Sequence, residues 1–460
     1  MEFTEHIASQ RAFFLSGGTR SAEFRRAQLG RLLDAIEKHE EALLAALHAD
    51  LRKPPTEAYA SEIGFVLGEI RHALRHLDRW VKPQSRRNPF ITWPSKAAIH
   101  PEPMGVALIL GPWNYPFQVL ISPLVGAIAA GNCAILKPSE LAPQTADLVC
   151  RIIGETFDAQ YITAIPGDHT TAEALLRGKF DTIFFTGSTR TGRSVMTAAA
   201  ANLTPVTLEL GGKSPCIVAA DAPIETTARR IVWGKFMNAG QTCVAPDHVL
   251  VDARVHDALI DALKKSIAAF YGPDPQKSAD YGRIVNRRHF DRLTAYLTEA
   301  DIAAGGRHDA GDLFIEPTIL TNPKDGAALL EEEIFGPILP VIAFQNIDSV
   351  IADLNRGPAP LALYLFSNDA ALQEKVVRGT RSGGVCINDT ISHILARDLP
   401  FGGLGESGMG QYHGKASFDA FTHRRAVMKR STAFDPNFRY PPPALALPAL
   451  KRMLRIFGAG

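Results

Sequence analysis

The sequence predicts an α/β protein with two parallel-sheet α/β domains. Three observations predict it. Short apolar runs alternate with helical runs from 105 to 211 and again from Pro215 to about 420, as expected for strands covered on both faces. The 460 residues exceed what one core usually serves. The residues most suggestive of chemistry stand just past strand ends, where open α/β sheets bind ligands.

Composition narrows the field. Lys and Arg number 49 against 48 Asp and Glu, a net charge of +1, so no field draws in nucleic acid or an acidic membrane. Apolar residues at 46% and charged residues at 21% are ordinary globular proportions. Cys133, Cys150, Cys216, Cys243 and Cys386 are scattered without CxxC or Cys/His spacing, which speaks against a disulfide scaffold and a zinc site. A reduced, cytoplasmic protein with no metal is expected.

The chain opens with Glu2, Glu5, His6 and Arg11 where a signal peptide would need apolar residues. Leu29, Leu32, Leu33 and Ile36, then Leu43, Leu44 and Leu47, follow helical spacing. Between Lys82 and Pro103 five prolines surround FITW and AAIH, which predicts an extended excursion or short hairpin. The run from Pro103 to Leu136 is uncharged, but Pro112, Pro116 and Pro123 divide it into strand, loop and helix and exclude one spanning helix. VALIL, CAIL, YITAI, TIFF and PVTLEL are the strands of the first block, with a helix expected over SELAPQTADLVCRIIG. The tail holds a short amphipathic segment with Lys451, Arg452 and Arg455. So short a segment binds membrane weakly, so packing on its own protein or a partner subunit is expected.

FTGSTRTG, Phe185 to Gly192, follows TIFF and opens a helix. Its small residues let backbone N–H groups approach a pyrophosphate, although a plain strand–helix turn explains it equally well. GGKS, Gly211 to Ser214, is no P-loop, because Thr207 stands where the first glycine belongs. Cys243 alone among the cysteines lies amid small polar residues, in NAGQTCVAP, as a reactive thiol would. Glu209 is the only acid in VTLELGGK, which suits either a general base of raised pKa or a hydrogen-bonded structural glutamate. Asn114 in GPWNYPF either donates to an oxyanion or caps a turn. Lys137 at a strand end either holds ribose hydroxyls or phosphates or is solvated, and the EEEIFGP glutamates either serve a site or end an exposed helix.

Taken in order, GPWNYPF, KPSE, FTGST, LELGGKSP, GQTC, EEIFGP and LPFGG resemble the aldehyde dehydrogenase superfamily. The longer stretches, WGKFMNAGQTCVAPD and DLPFGGLGESGMGQYHGKASFDAFTHRR among them, resemble its class 3 branch over nearly the whole chain. The resemblance implies oxidation of an aromatic or medium-chain aliphatic aldehyde to the acid, with NAD as cofactor and NADP plausible. The intermediates would be a thiohemiacetal and a thioester on Cys243. It implies Cys243 as nucleophile, Glu209 as general base and Asn114 as oxyanion donor with the Cys243 backbone N–H. Lys137 and Glu140 would contact the adenosine ribose, and Gly187, Ser188 and Gly192 the phosphates. Trp113 and Leu210, with Glu333 and Phe335, would complete the cofactor site. Phe65 stands where class 3 relatives carry tyrosine, while Tyr115 and His413 match the substrate tunnel. The tail lacks the long apolar anchor of membrane-tethered relatives.

The resemblance also implies a homodimer. It divides the chain into a Rossmann-like cofactor domain (1–81 and 105–210), a catalytic domain (211–420), a bridging element (82–104 and 421–445) and a tail (446–460). Two rivals share the thioester or the cysteine: a coenzyme A-acylating enzyme of the same fold, and a cofactor-independent thiol esterase or binding protein.

Overall fold

The computed structural model describes residues 3–89, 92–435, 437, 440–442 and 445–457. The expected bridging element and tail also take in 90–91, 436, 438–439, 443–444 and 458–460, which lie outside the described residues.

Two sheets organise the chain. The first has six strands in the order Gly408–Met409, Val206–Glu209, Thr182–Thr186, Val106–Leu110, Cys133–Lys137 and Ile162–Ala164. All its pairs are parallel except that of Gly408–Met409, which brings a late loop back beside Glu209. The second has seven strands: Asp301–Ala304, Thr318–Thr321, Ile338–Phe344, His248–Asp252, Pro215–Val218, Ala362–Phe366 and Gly384–Ile387. It is parallel but for its first strand. A third, antiparallel sheet joins Gln84–Arg86, Ser95–Pro103 and Thr422–Arg430, drawing the proline-rich excursion to residues over 300 positions later.

The uncharged run resolves into the strand Val106–Leu110, a loop, the helix Gln118–Ala130 and the strand Cys133–Lys137. That 13-residue helix is buried along its whole length. Among the described residues no helix is long and apolar enough to cross a membrane. The amino-terminal helices Ala22–Lys38 and Glu40–Leu51 bury Leu29, Leu32, Leu43 and Leu47 of the spaced leucines and half-bury Leu33 and Leu44.

The helix expected to open at Ser139 starts instead at Pro143, a residue that favours the first helical position. Its cap comes from elsewhere in the chain. The Asp50 carboxylate accepts from the Gln144 and Thr145 N–H groups at 3.1 and 2.8 Å, a contact that local sequence cannot show.

The helices Gln118–Ala130 and Gly414–Ala420 cross at Gly126, where an added Cβ would lie 2.7 Å from both Cβ and O of Ser417. Helix propensity favours alanine over glycine by about 1 kcal/mol, but overpacking of this kind costs about 1–3 kcal/mol. Gly126→Ala should therefore lower the urea unfolding midpoint. A raised midpoint would show that the helices part easily there.

Candidate active site

The carboxyl ends of the first sheet and the loops after Gly211, Gln241 and Glu332 enclose a cavity of about 260 Å³. Trp113, Asn114, Gly187, Ser188, Glu209, Leu210, Cys243, Glu333 and Phe335 all line it. Lys137, Glu140 and Gly192 do not. Lys137 ends the neighbouring strand and pairs with Glu140 at 2.6 Å, and Gly192 packs behind the cavity wall against Leu210.

Glu209 ends the strand Val206–Glu209, its backbone held between Thr186 and Gly408. Its side chain is buried, and neither carboxyl oxygen has a partner among the described residues. Burial therefore pushes its pKa well above the usual carboxylate range and favours the protonated form. Glu333 lies against Gly211, and burial raises it to about 8 despite the Gly212 N–H that it accepts. Half-buried Cys243 is pushed up to about 12, first by burial and then by Glu333 and Glu209. Its own N–H and that of Val244 work the other way and favour the thiolate. The cysteine contrast drawn from sequence is partial: Cys133 and Cys216 are buried, but Cys150 and Cys386 are as half-buried as Cys243.

Asn114 is buried, and its amide donates one hydrogen bond to the Gln241 carbonyl at 3.0 Å. An amide nitrogen carries two hydrogens, so a second donor remains. The Tyr115 hydroxyl shares a 2.7 Å hydrogen bond with Thr242, beside the thiol. The Phe65 and His413 rings meet at a tilt with centroids 5.2 Å apart, and neither His413 ring nitrogen has a partner among the described residues.

The residues present fit the expected dinucleotide. A Cβ on Gly211 would come within 2.0 Å of a Glu333 oxygen, and one on Gly187 within 2.5 Å of the Phe185 ring. Neither position has room for a side chain, and Gly187 stands just before the helix Thr189–Ala200, whose first turn Ser188 caps through Thr191 N–H. Trp113 and Phe335 meet edge to face at 5.5 Å and form an aromatic wall.

Sequence patterning missed several contributors. Arg292 donates to the carbonyls of Glu333 and Ile334 at 3.2 and 2.8 Å and fixes that loop. Lys213, set aside with the false P-loop, pairs with Asp247, which in turn accepts from Ile334 N–H at 2.8 Å. Lone basic residues on helices and loops carry no local signal of such tertiary contacts.

Because burial holds the Cys243 proton, alkylation of the free protein by iodoacetamide should be slow at pH 7 and rise steadily to pH 9 and above. Peptide mass spectrometry at each pH reads this directly. A plateau reached below pH 8 would show a thiolate stabilised beyond what the two N–H groups supply.

Comparison with known proteins agrees with this arrangement. Residues 3–427 match the model of the aldehyde dehydrogenase family. The chain is 48% identical to a 4,4'-diaponeurosporen-aldehyde dehydrogenase of Staphylococcus aureus over 94% of this chain and 95% of that one. It is 44% identical to the dimeric NADP-preferring aldehyde dehydrogenase of Canis lupus familiaris, over 96% and 98%. A solved structure described as the substrate-bound state of Staphylococcus aureus AldH superposes with a TM-score of 0.95 at 46% identity, covering 99% of both chains. The chain belongs to the aldehyde dehydrogenase family, in its class 3 branch, and oxidises aldehydes to carboxylic acids with NAD(P).

Proposed function

We propose that Cys243 is the nucleophile, that Asn114 and the Cys243 N–H hold the oxyanion, and that Glu209 activates the hydrolytic water. The observation that carries this reading is that one cavity holds the Asn114 amide, the Cys243 sulfur and the partnerless Glu209 carboxyl. The Cys243 sulfur, once deprotonated, adds to the aldehyde carbon and gives a thiohemiacetal oxyanion. Its negative charge falls to the second Asn114 N–H and the Cys243 N–H. Losing one such donor typically costs about 100- to 1,000-fold in rate.

NAD(P), held against Trp113, Glu333 and Phe335, would supply the hydride acceptor, and loss of hydride from the thiohemiacetal carbon would leave an acyl thioester on Cys243. Ionised Glu209 then takes a proton from water as the water oxygen attacks the acyl carbon. The carbon–sulfur bond breaks, the acid departs and the thiolate returns. Burial favours the protonated form of Glu209, so the hydrolytic step should speed up as rising pH ionises it.

The cofactor is assigned to Trp113, Gly187, Ser188, Gly192, Leu210, Glu333 and Phe335, with Lys137 and Glu140 on the adenosine ribose. Glu140 pairs with Lys137 and faces any 2′-phosphate, which favours NAD over NADP. Aromatic walls at Phe401 and Tyr412 suit an aromatic or medium-chain aldehyde, and Phe65 offers its neighbourhood no hydroxyl. Residues 1–81 with 105–210 are assigned to the cofactor domain and 211–420 to the catalytic domain. Residues 82–104 and 421–445 form the bridge, and 446–460 the tail. The nine-residue strand Thr422–Arg430 lies at the edge of its sheet, a surface that a second copy of this chain would extend into a homodimer. Its cysteines are all free, in keeping with the reducing cytoplasm.

Cys243→Ala should abolish NAD(P)H production from benzaldehyde. Glu209→Gln should give a single burst of NAD(P)H, with acyl enzyme trapped at residue 243 by mass spectrometry. Acyl-coenzyme A formed in place of free acid, or ester hydrolysis by a protein that binds no NAD, would support one of the rival activities. Glu140→Gln should raise the NADP-to-NAD ratio of kcat/KM about fivefold, because one charge at partly exposed range is worth about 1 kcal/mol. An unchanged ratio would place the 2′-hydroxyl elsewhere.

A further inference from the structure

The carbonyl of Asn114 is held from two sides by residues outside the cavity lining. Asn238 Nδ2 donates to Asn114 O at 2.8 Å and to Gln241 O at 3.1 Å. Lys53 Nζ donates to the same Asn114 carbonyl at 3.1 Å. Asn238 therefore bridges the loop that carries Asn114 to the loop that carries Cys243, two residues beyond Gln241. The Asn114 amide reaches back to that same Gln241 carbonyl at 3.0 Å. Two carbonyls and two amides thus form a closed, buried set.

Three features mark Asn238 as more than packing. It is 1% exposed, yet its Oδ1 has no partner among the described residues. It and Ala239 both stand in left-handed backbone, at φ +52° and +50°. Such a conformation costs an alanine about 1–2 kcal/mol and persists only where surrounding contacts impose it. Its N–H is fixed by Glu57 at 2.9 Å and its carbonyl by Gln241 Nε2 at 3.0 Å. Strain and an unmet acceptor are tolerated here while both amide hydrogens go to the two catalytic loops.

We propose that Asn238 is a positioning residue that, with Lys53, sets the distance between the Asn114 amide and the Cys243 sulfur and so aims the oxyanion hole. This rests on the oxyanion role assigned above to Asn114. Asn238 touches neither substrate nor cofactor; it acts through the Asn114 main chain.

Asn238→Gly separates this role from folding, because glycine adopts φ +52° without strain and only the amide is lost. The variant should lose about 10- to 100-fold in the hydride-transfer rate measured by stopped flow, with NADH binding unchanged by fluorescence. Asn114→Ala alone should lose at least as much, and the double variant should be no slower than Asn114→Ala. Such non-additivity is expected of residues acting through one another and not of general destabilisation. Asn238→Asp, of equal size but without donors, should match the glycine variant and covers the case in which glycine fails to fold. A full hydride-transfer rate in either folded variant, or losses that multiply, would overturn the proposal. A fully active Asn114→Ala would instead overturn the oxyanion assignment on which it rests.

Discussion

Removal from water governs this site. Glu209, Cys243 and Glu333 share one cavity, and burial pushes all three toward their protonated, neutral forms. Ionised Glu333 or Glu209 would further disfavour the Cys243 thiolate. Burial thus favours protons on the Cys243 sulfur and the Glu209 carboxyl, the groups that must lose them in the reaction. The counterweight is small and local: the Cys243 and Val244 N–H groups aim at the sulfur, because the chain turns sharply just after Gln241.

The two sheets make this possible by bringing strand ends together. Glu209 is at the last position of a buried strand, so its carboxyl meets the cavity at the strand's carboxyl end, with no hydrogen-bond partner among the described residues. Glu333 arrives from the other sheet on a loop anchored by Arg292 and by the Lys213–Asp247 pair. Glycine 211 permits the approach, since any side chain there would collide with the Glu333 carboxylate. Bulk and charge are excluded at the same points where the backbone must come close.

The fold was legible in the sequence wherever local patterning decides it. Apolar runs such as VALIL and CAIL are strands because both faces are buried, and Pro112, Pro116 and Pro123 divide the uncharged stretch as their chemistry requires. Cys243 and Glu209 stood out because each contradicts its surroundings. The start of the helix at Pro143 was not legible, since its cap is Asp50, 94 residues away. Lys53, Asn238 and Arg292 were invisible for the same reason: their meaning lies in carbonyls of distant segments.

The Lys53–Glu62 pair shows what such hidden groups do. Both side chains are 0% exposed, and a buried ion pair is often no more stable than apolar residues of similar volume. Its value here lies in the backbone groups it satisfies. Glu62 accepts from the Phe117 and Gln118 N–H groups at 3.0 and 3.1 Å, while Lys53 donates to the Asn114 carbonyl and sits 4.0 Å over the Tyr115 ring. Apolar replacements would strand two donors and weaken the hold on one acceptor in a dry interior, each orphaned group costing about 1–3 kcal/mol. The pair thus imposes a single path on residues 114–118, and that path fixes where the Asn114 amide can point.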